Sequence, residues 1–284
     1  MSSSQLPKIA LLPLRDFALQ IDAPGSLLFE VDSSDLAYIN QGHIPGAVFF
    51  DTNQIEHSPD WNFLPFNQII IYLTHMGITS DSQVFLYSRL SIAAARLAHL
   101  LLVMGNASIN ILDGGWSIWQ SSRMPIEHAS NTSVPVPTPT NSVPANPQFL
   151  VDQPAVKAVL AAKTGNIVSV RSHPEYRGET SGYDFIGPQG RIPGAVWAGA
   201  GDDKDGMQLY HRSDGPAKPL KEIAQMWQAR GITPQKKTIF YCGTGWRASE
   251  AFLYAYLMGW TDIAVYDGGW HEWSSDPRNP TESD

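Results

Sequence analysis

The 284 residues carry 43% apolar and 11% aromatic side chains, enough to fill about two cores of ordinary size, with a net charge of −8. That charge argues against nucleic acid or an anionic membrane as a partner. The single cysteine excludes an intramolecular disulfide and suits a reducing compartment.

In chain order, Met1-Ser2-Ser3-Ser4-Gln5-Leu6-Pro7-Lys8 lacks the charged start and unbroken apolar core of a signal peptide. No later apolar run reaches membrane-spanning length, so a soluble, cytoplasmic protein is expected. Residues 27–32 and 47–50 read as buried strands, and 66–76 as a helix closed by Gly77. Residues 83–87 form a third strand, 93–104 a helix and 110–112 a fourth strand. Residues 131–147 hold five prolines and no charge, a composition that reads as an extended connector rather than a helix or a central strand. Beyond it the alternation returns: strands at 167–170, 195–197, 238–241 and 263–266, with helices at 220–229 and 249–258. Strands alternating with helices imply parallel α/β sheets covered on both faces, with ligands beyond the strands' C-terminal ends.

The two halves repeat one another. His43-Ile44-Pro45-Gly46-Ala47-Val48 recurs as Arg191-Ile192-Pro193-Gly194-Ala195-Val196, and Asp113-Gly114-Gly115-Trp116 as Asp267-Gly268-Gly269-Trp270. The second pair lies 154 residues apart, as do Gly77 and Gly231. A period of that size fits a duplicated domain rather than a solenoid. The expected division is a first domain over 6–128, the connector over 129–147 and a second domain over 148–280.

Cys242 follows the strand Thr238-Ile239-Phe240-Tyr241 and opens Cys242-Gly243-Thr244-Gly245-Trp246-Arg247, read as a six-residue loop ahead of a helix. Backbone N–H groups and the positive end of that helix favour thiolate over thiol. Gly243 and Gly245 let the N–H groups converge into an anion cradle, and Arg247 adds a fixed charge. A lone cysteine is more often a small buried hydrophobe, but a glycine-rich turn before a helix points to a nucleophile. At the same offset the first half has Ser88 followed by Arg89-Leu90, without thiol or glycines, and is expected to be inactive.

Ile-Pro-Gly-Ala in each half, Asp-Gly-Gly-Trp near each C-terminal end and a cysteine loop in the second half alone resemble the tandem rhodanese sulfurtransferases. The resemblance implies two rhodanese-like domains, each a central parallel sheet flanked by helices. It also implies a Cys242 persulfide that carries sulfur from thiosulfate to a thiophilic acceptor such as cyanide or a thiol. A protein acceptor is compatible with it, and no metal or cofactor is implied. The loop fits the Cys-x-x-Gly-x-Arg pattern, so residues 243–247 are expected to bind the donor. Arg177 matches a family arginine that holds the donor's anionic group, and Arg191 is a further candidate. The second family arginine has no counterpart in the divergent segment 180–189.

The resemblance leaves the donor open. Gly243-Thr244-Gly245 is closer to the loop of 3-mercaptopyruvate sulfurtransferases, the alternative reading. Asn53 and Asn62, however, stand where those enzymes carry a titratable pair, and Arg247 supplies a loop cation, so thiosulfate is favoured. A cysteine phosphatase needs a loop one residue longer, and position 248 is Ala rather than Arg. A fully inactive copy should lose the cysteine, as the first half has at Ser88, so catalysis is favoured over a non-catalytic interaction or sulfur-carrier module. The Ile-Pro-Gly-Ala and Asp-Gly-Gly-Trp motifs are expected to shape turns and fill cores without doing chemistry.

Overall fold

Short apolar runs separated by helical segments assemble into two five-stranded parallel sheets of one design. The computed structural model describes residues 8–106, 108–139 and 143–284. The chain divides into two compact units. The first takes the chain up to His57 with Phe63–Pro147 and Asp214–Pro216, and the second takes Ser58–Asn62, Gln148–Ser213 and Ala217–Asp284.

The first unit runs β1 (Lys8–Leu12), α1 (Leu14–Gln20), β2 (Ser26–Asp32), α2 (Leu36–Gln41), β3 (Val48–Asp51), α3 (Phe66–His75), β4 (Gln83–Tyr87), α4 (Ser91–Met104), β5 (Ser108–Leu112) and α5 (Gly115–Ser121). Its strands lie in the order β1-β5-β4-β2-β3, all parallel. α4 is buried from Ile92 to Val103, as its nearly unbroken apolar sequence requires.

The second unit runs β6 (Leu150–Val151), α6 (Gln153–Ala162), β7 (Gly165–Ser169), α7 (His173–Arg177), β8 (Val196–Trp197), α8 (Leu220–Gln228), β9 (Lys237–Tyr241), α9 (Trp246–Leu257), β10 (Ile263–Tyr266) and α10 (Gly269–Ser275). Its order, β6-β10-β9-β7-β8, is that of the first sheet strand for strand, so the internal repeat is a repeat of fold. β4 and β9 are the central strands, and each ends on a tyrosine that performs the same task. Tyr87 Oη accepts the Ile44 N–H at 3.0 Å, and Tyr241 Oη accepts the Ile192 N–H at 3.3 Å. The Ile-Pro-Gly-Ala turns are thereby tied to the central strands, with their glycines at φ 80° (Gly46) and 72° (Gly194).

The proline-rich segment forms no strand or α-helix among its described residues and is strapped to the first unit. Val136 N donates to Thr74 O and Ser133 Oγ to His75 O, each at 2.9 Å. Residues 140–142 of the expected connector and 6–7 and 107 of the expected first domain lie outside the described residues. One boundary differs in a way that matters below. α9 begins at Trp246, so the cysteine loop is residues 242–245, and Trp246 and Arg247 belong to the helix's first turn.

Candidate active site

Cys242 is the first residue past β9 and lies 1% exposed at the C-terminal edge of the second sheet. Four residues later the chain is already helical, and two glycines make so tight a corner possible for different reasons. Gly245, at φ 91°, is the left-handed residue that opens α9. Gly243 needs no special φ. Instead a Cβ there would lie 2.3 Å from the ring of Tyr183, so only a hydrogen fits beneath that ring.

The Asp-Gly-Gly-Trp motif clamps this corner from the other side. Trp270 N donates to Cys242 O at 2.8 Å and His271 N to Gly243 O at 3.0 Å. Gly269 sits at φ 54°, and a Cβ on it would approach the Gly243 and Cys242 carbonyl oxygens to 2.6 and 2.7 Å. The motif does fill the core, with Trp270 fully buried, but it also holds the loop that carries the thiol.

Beneath the corner lies a buried ion cluster. Arg247 donates from its two Nη atoms to the two carboxylate oxygens of Glu175 at 2.8 Å each, and also to Asp203 O at 2.9 Å and Tyr183 Oη at 3.2 Å. Arg171 donates through Nε to the same carboxylate at 3.3 Å and through its Nη atoms to Gly190 O and Ser181 O. Arg171, Glu175 and Arg247 are all fully buried. Burial alone would raise the Glu175 carboxyl, but the Arg247 charge and hydrogen bonds, with Arg171, hold it at about 2. Burial would likewise lower Arg247, yet Tyr183, Glu175 and Cys242 keep it well above its ordinary value. Two guanidinium groups thus share one carboxylate, and the cluster keeps one positive charge in a low-dielectric setting next to the cysteine loop. An anionic sulfur on Cys242 complements that charge.

Tyr183, from the divergent segment, completes the surround. Arg171 anchors that segment at Ser181 and Gly190, and Tyr183 lies across Gly243 with its hydroxyl bonded to Arg247. Burial raises the Tyr183 hydroxyl, so it stays protonated and donates.

The residues proposed from the sequence therefore separate into two groups. Cys242, Gly243, Thr244, Gly245, Trp246 and Arg247 share one corner, where Arg247 is enclosed rather than presented to a ligand. Arg177 and Arg191 converge on Asp284: Arg177 Nε lies 3.5 Å and Arg191 Nη1 2.8 Å from its carboxylate. Glu179 also pairs with Arg177, and Glu282 with Arg191. Sequence reasoning missed Arg171, Glu175 and Tyr183. A local signal existed for one of them, since Ser172-His173-Pro174-Glu175 is a capping box that the structure forms in full. Arg171 meets Glu175 only four residues on, but its other partners lie 10 and 19 residues away, and Tyr183 meets Arg247 across 64 residues.

The first unit shows why the same corner there carries no such site. Ser88 Oγ donates to Leu90 O at 2.5 Å and accepts the Ala94 N–H at 3.2 Å, so the hydroxyl is bound into its own backbone. Arg89 pairs with the single buried carboxylate of Glu30, leaving no surplus charge in that pair. The chain carries one α/β domain with a thiol at this corner and a copy with a serine there.

A model described as "Rhodanese-like domain" matches residues 14–122 and 152–276. The chain belongs to that family and holds two of its domains in tandem. It is 44% identical to the thiosulfate sulfurtransferase YnjE of Escherichia coli (strain K12), over 84% of this chain and 55% of that protein. The chain thus spans little more than half of that relative's length. The crystal structure of YnjE superposes with a TM-score of 0.90 at 39% identity, covering 96% of this chain and 68% of that one. The 3-mercaptopyruvate sulfurtransferase of Rattus norvegicus is 29% identical over 81% of this chain and 76% of its own length. The structure of EanB carrying a cysteine persulfide with ergothioneine matches at TM-score 0.88 and 36% identity, covering 93% of this chain and 66% of that chain. No helix among the described residues is long and apolar enough to cross a membrane.

Proposed function

We propose that the chain is a thiosulfate sulfurtransferase working through a Cys242 persulfide. The Cys242 thiolate attacks the outer sulfur of thiosulfate. A sulfur–sulfur bond forms to the protein, the bond inside thiosulfate breaks, and sulfite departs with its electron pair. A thiophilic acceptor, cyanide or a thiol in the simplest case, then removes the outer sulfur and restores the thiolate. Both steps place negative charge on sulfur at the 242–245 corner. Loop N–H groups, the start of α9 and the surplus charge of Arg171–Glu175–Arg247 stabilise it there.

The observation that carries this reading is that one carboxylate faces two buried arginines beside the thiol. The likeness to proteins named for thiosulfate supports the donor. In this reading Arg247 and Arg171 act from below as fixed charge, and Gly243, Thr244, Gly245 and Trp246 supply the backbone that meets the donor. Arg177 and Arg191 would reach a donor only by leaving Asp284, so they rank behind the corner itself. A cytoplasmic location and a protein acceptor belong to the same proposal.

A second donor, 3-mercaptopyruvate, is favoured by the Gly243-Thr244-Gly245 loop. Intact mass after each donor tests the proposal: one added sulfur atom is expected, and none in Cys242→Ser. Loading that survives in Cys242→Ser would overturn it, since no other thiol exists. The ratio of kcat/KM for the two donors, with cyanide as acceptor, chooses between them.

A further inference from the structure

The mouth of the Cys242 corner is aromatic and acidic, although its floor is cationic. Tyr183, whose ring covers Gly243, meets Phe185 with centroids 5.3 Å apart. Phe185 meets the His271 ring edge-on at 5.5 Å and the ring of Trp61, grouped with this unit, at 5.9 Å. His271 is itself bonded through its backbone to Gly243, so this cluster is continuous with the cysteine loop. Phe185 is 50% exposed, an apolar face open to solvent.

The segment 201–206 is fixed to the same corner. Arg247 holds the Asp203 carbonyl, and Tyr183 Oη donates to Lys204 O at 3.4 Å. The rim formed by this segment and Asp184 carries Asp184, Asp202, Asp203 and Asp205 against Lys204, whose ammonium is paired with Asp205 at 2.8 Å. Carboxylates around exposed aromatic faces attract a cation and repel an anion.

We infer that the sulfur acceptor at this mouth is a small thiol bearing an ammonium group, which lies against the Phe185 and Tyr183 rings within the aspartate rim. The inference rests on the persulfide reading above. The acceptor thiolate attacks the outer sulfur of the protonated Cys242 persulfide. The sulfur–sulfur bond to Cys242 breaks as one forms to the acceptor, the electron pair leaves on Cys242 as thiolate, and the proton stays on the transferred sulfur. The buried floor charge acts on the sulfurs, and the rim acts on the acceptor's far end.

Three thiols with the same two-carbon spacer test it: cysteamine, 2-mercaptoethanol and 3-mercaptopropionate, ending in ammonium, hydroxyl and carboxylate. Thiosulfate-loaded protein is discharged by each, and loading is followed separately by intact mass. With rates normalised to thiolate concentration, the expected order is cysteamine, then 2-mercaptoethanol, then 3-mercaptopropionate. Phe185→Ala should shrink the cysteamine-to-mercaptoethanol ratio by about threefold to tenfold, the range of a cation on an aromatic face. At low ionic strength Asp184→Asn with Asp202→Asn should slow discharge to cysteamine by about fourfold while accelerating loading by the thiosulfate dianion, since each rim charge is worth about twofold at ~10 Å in water when salt does not screen it. A merely destabilised variant cannot move the two half-reactions in opposite directions. Protein that loads normally but is discharged by all three thiols alike, or variants that leave the cysteamine-to-mercaptoethanol ratio unchanged, would overturn this inference alone. Wild-type protein that gains no sulfur overturns the proposed function, and this inference with it.

Discussion

Both Nη atoms of Arg247 lie 2.8 Å from the carboxylate oxygens of Glu175, in a bidentate pair closed off from solvent beneath the cysteine corner. A guanidinium so engaged shapes the site through its charge and its hold on Asp203 and Tyr183. The difference is measurable. Arg247→Ala removes the bidentate pair, leaves Glu175 only its 3.3 Å contact with Arg171, and should cost about 1.5–3 kcal/mol of stability in the second unit. Activity should fall alike for every donor, and Arg247→Lys should restore little because a point charge cannot reproduce the fork. Melting temperature and KM for two donors decide it. An unchanged melting temperature with a rise in KM confined to thiosulfate would return Arg247 to direct donor binding.

The same pair sets a pH dependence. The Glu175 carboxyl is held at about 2 against an ordinary 4.5. A folded-state value below the unfolded one stabilises the fold above about pH 4.5 and loses that contribution as pH falls toward 2. Glu127 and Glu282, also lowered, act in the same direction. Glu175→Gln should be less stable than wild type at neutral pH, and the gap should narrow steadily in melts taken from about pH 5 to about pH 3. Two curves that stay parallel through that window would show that Glu175 carries no such linkage.

Much of this fold was readable from periodicity, and what escaped has physical causes. β4 falls on residues 83–87 and β10 on 263–266 as expected, since both are apolar runs bounded by turn residues. α2 and α7, of six and five residues, are too short to show a helical period. α6 did carry its signals, with Asp152 capping Ala155 N and a proline in its first turn. At the site, the thiol, the glycines and the corner are local, and so they were legible. The meeting of Arg171 and Arg247 on Glu175 depends on β7, α7 and α9 coming together, which no local pattern reports. Tyr183 sat in the segment that departs from the family pattern, and its contact with Gly243 spans about 60 residues.

A thiol at position 88 should not create a second site. The present hydroxyl is bonded to Leu90 O and Ala94 N, and Arg89 is drawn away to Glu30, Ala37 O and Gly42 O. Ser88→Cys would therefore place sulfur in a corner without the surplus buried charge that Cys242 has. One sulfur atom per chain is the expected gain after thiosulfate treatment. Two sulfur atoms by intact mass would mean that the α/β corner alone is sufficient.

Gly269 and Gly115 allow the clamp to be tested against its own copy. Gly115, at φ 53°, would bring a Cβ to 2.4 Å from Ser88 O, as Gly269 would bring one to 2.6 Å from Gly243 O. Alanine at either position meets the same left-handed strain and the same carbonyl collision, each destabilising its unit by about 1–3 kcal/mol. The consequences for chemistry should diverge. Gly269→Ala pushes on the carbonyls of Cys242 and Gly243, so the loop N–H groups lose their convergence, and persulfide loading should slow by about ten- to a hundredfold. Gly115→Ala deforms a corner that carries no nucleophile, and loading should stay within about threefold of wild type at temperatures where the variant remains folded. Loading rates and melting curves on the two variants, side by side, separate positioning from stability. Equal losses of activity in both would show that the Asp-Gly-Gly-Trp turn acts only through the stability of the fold.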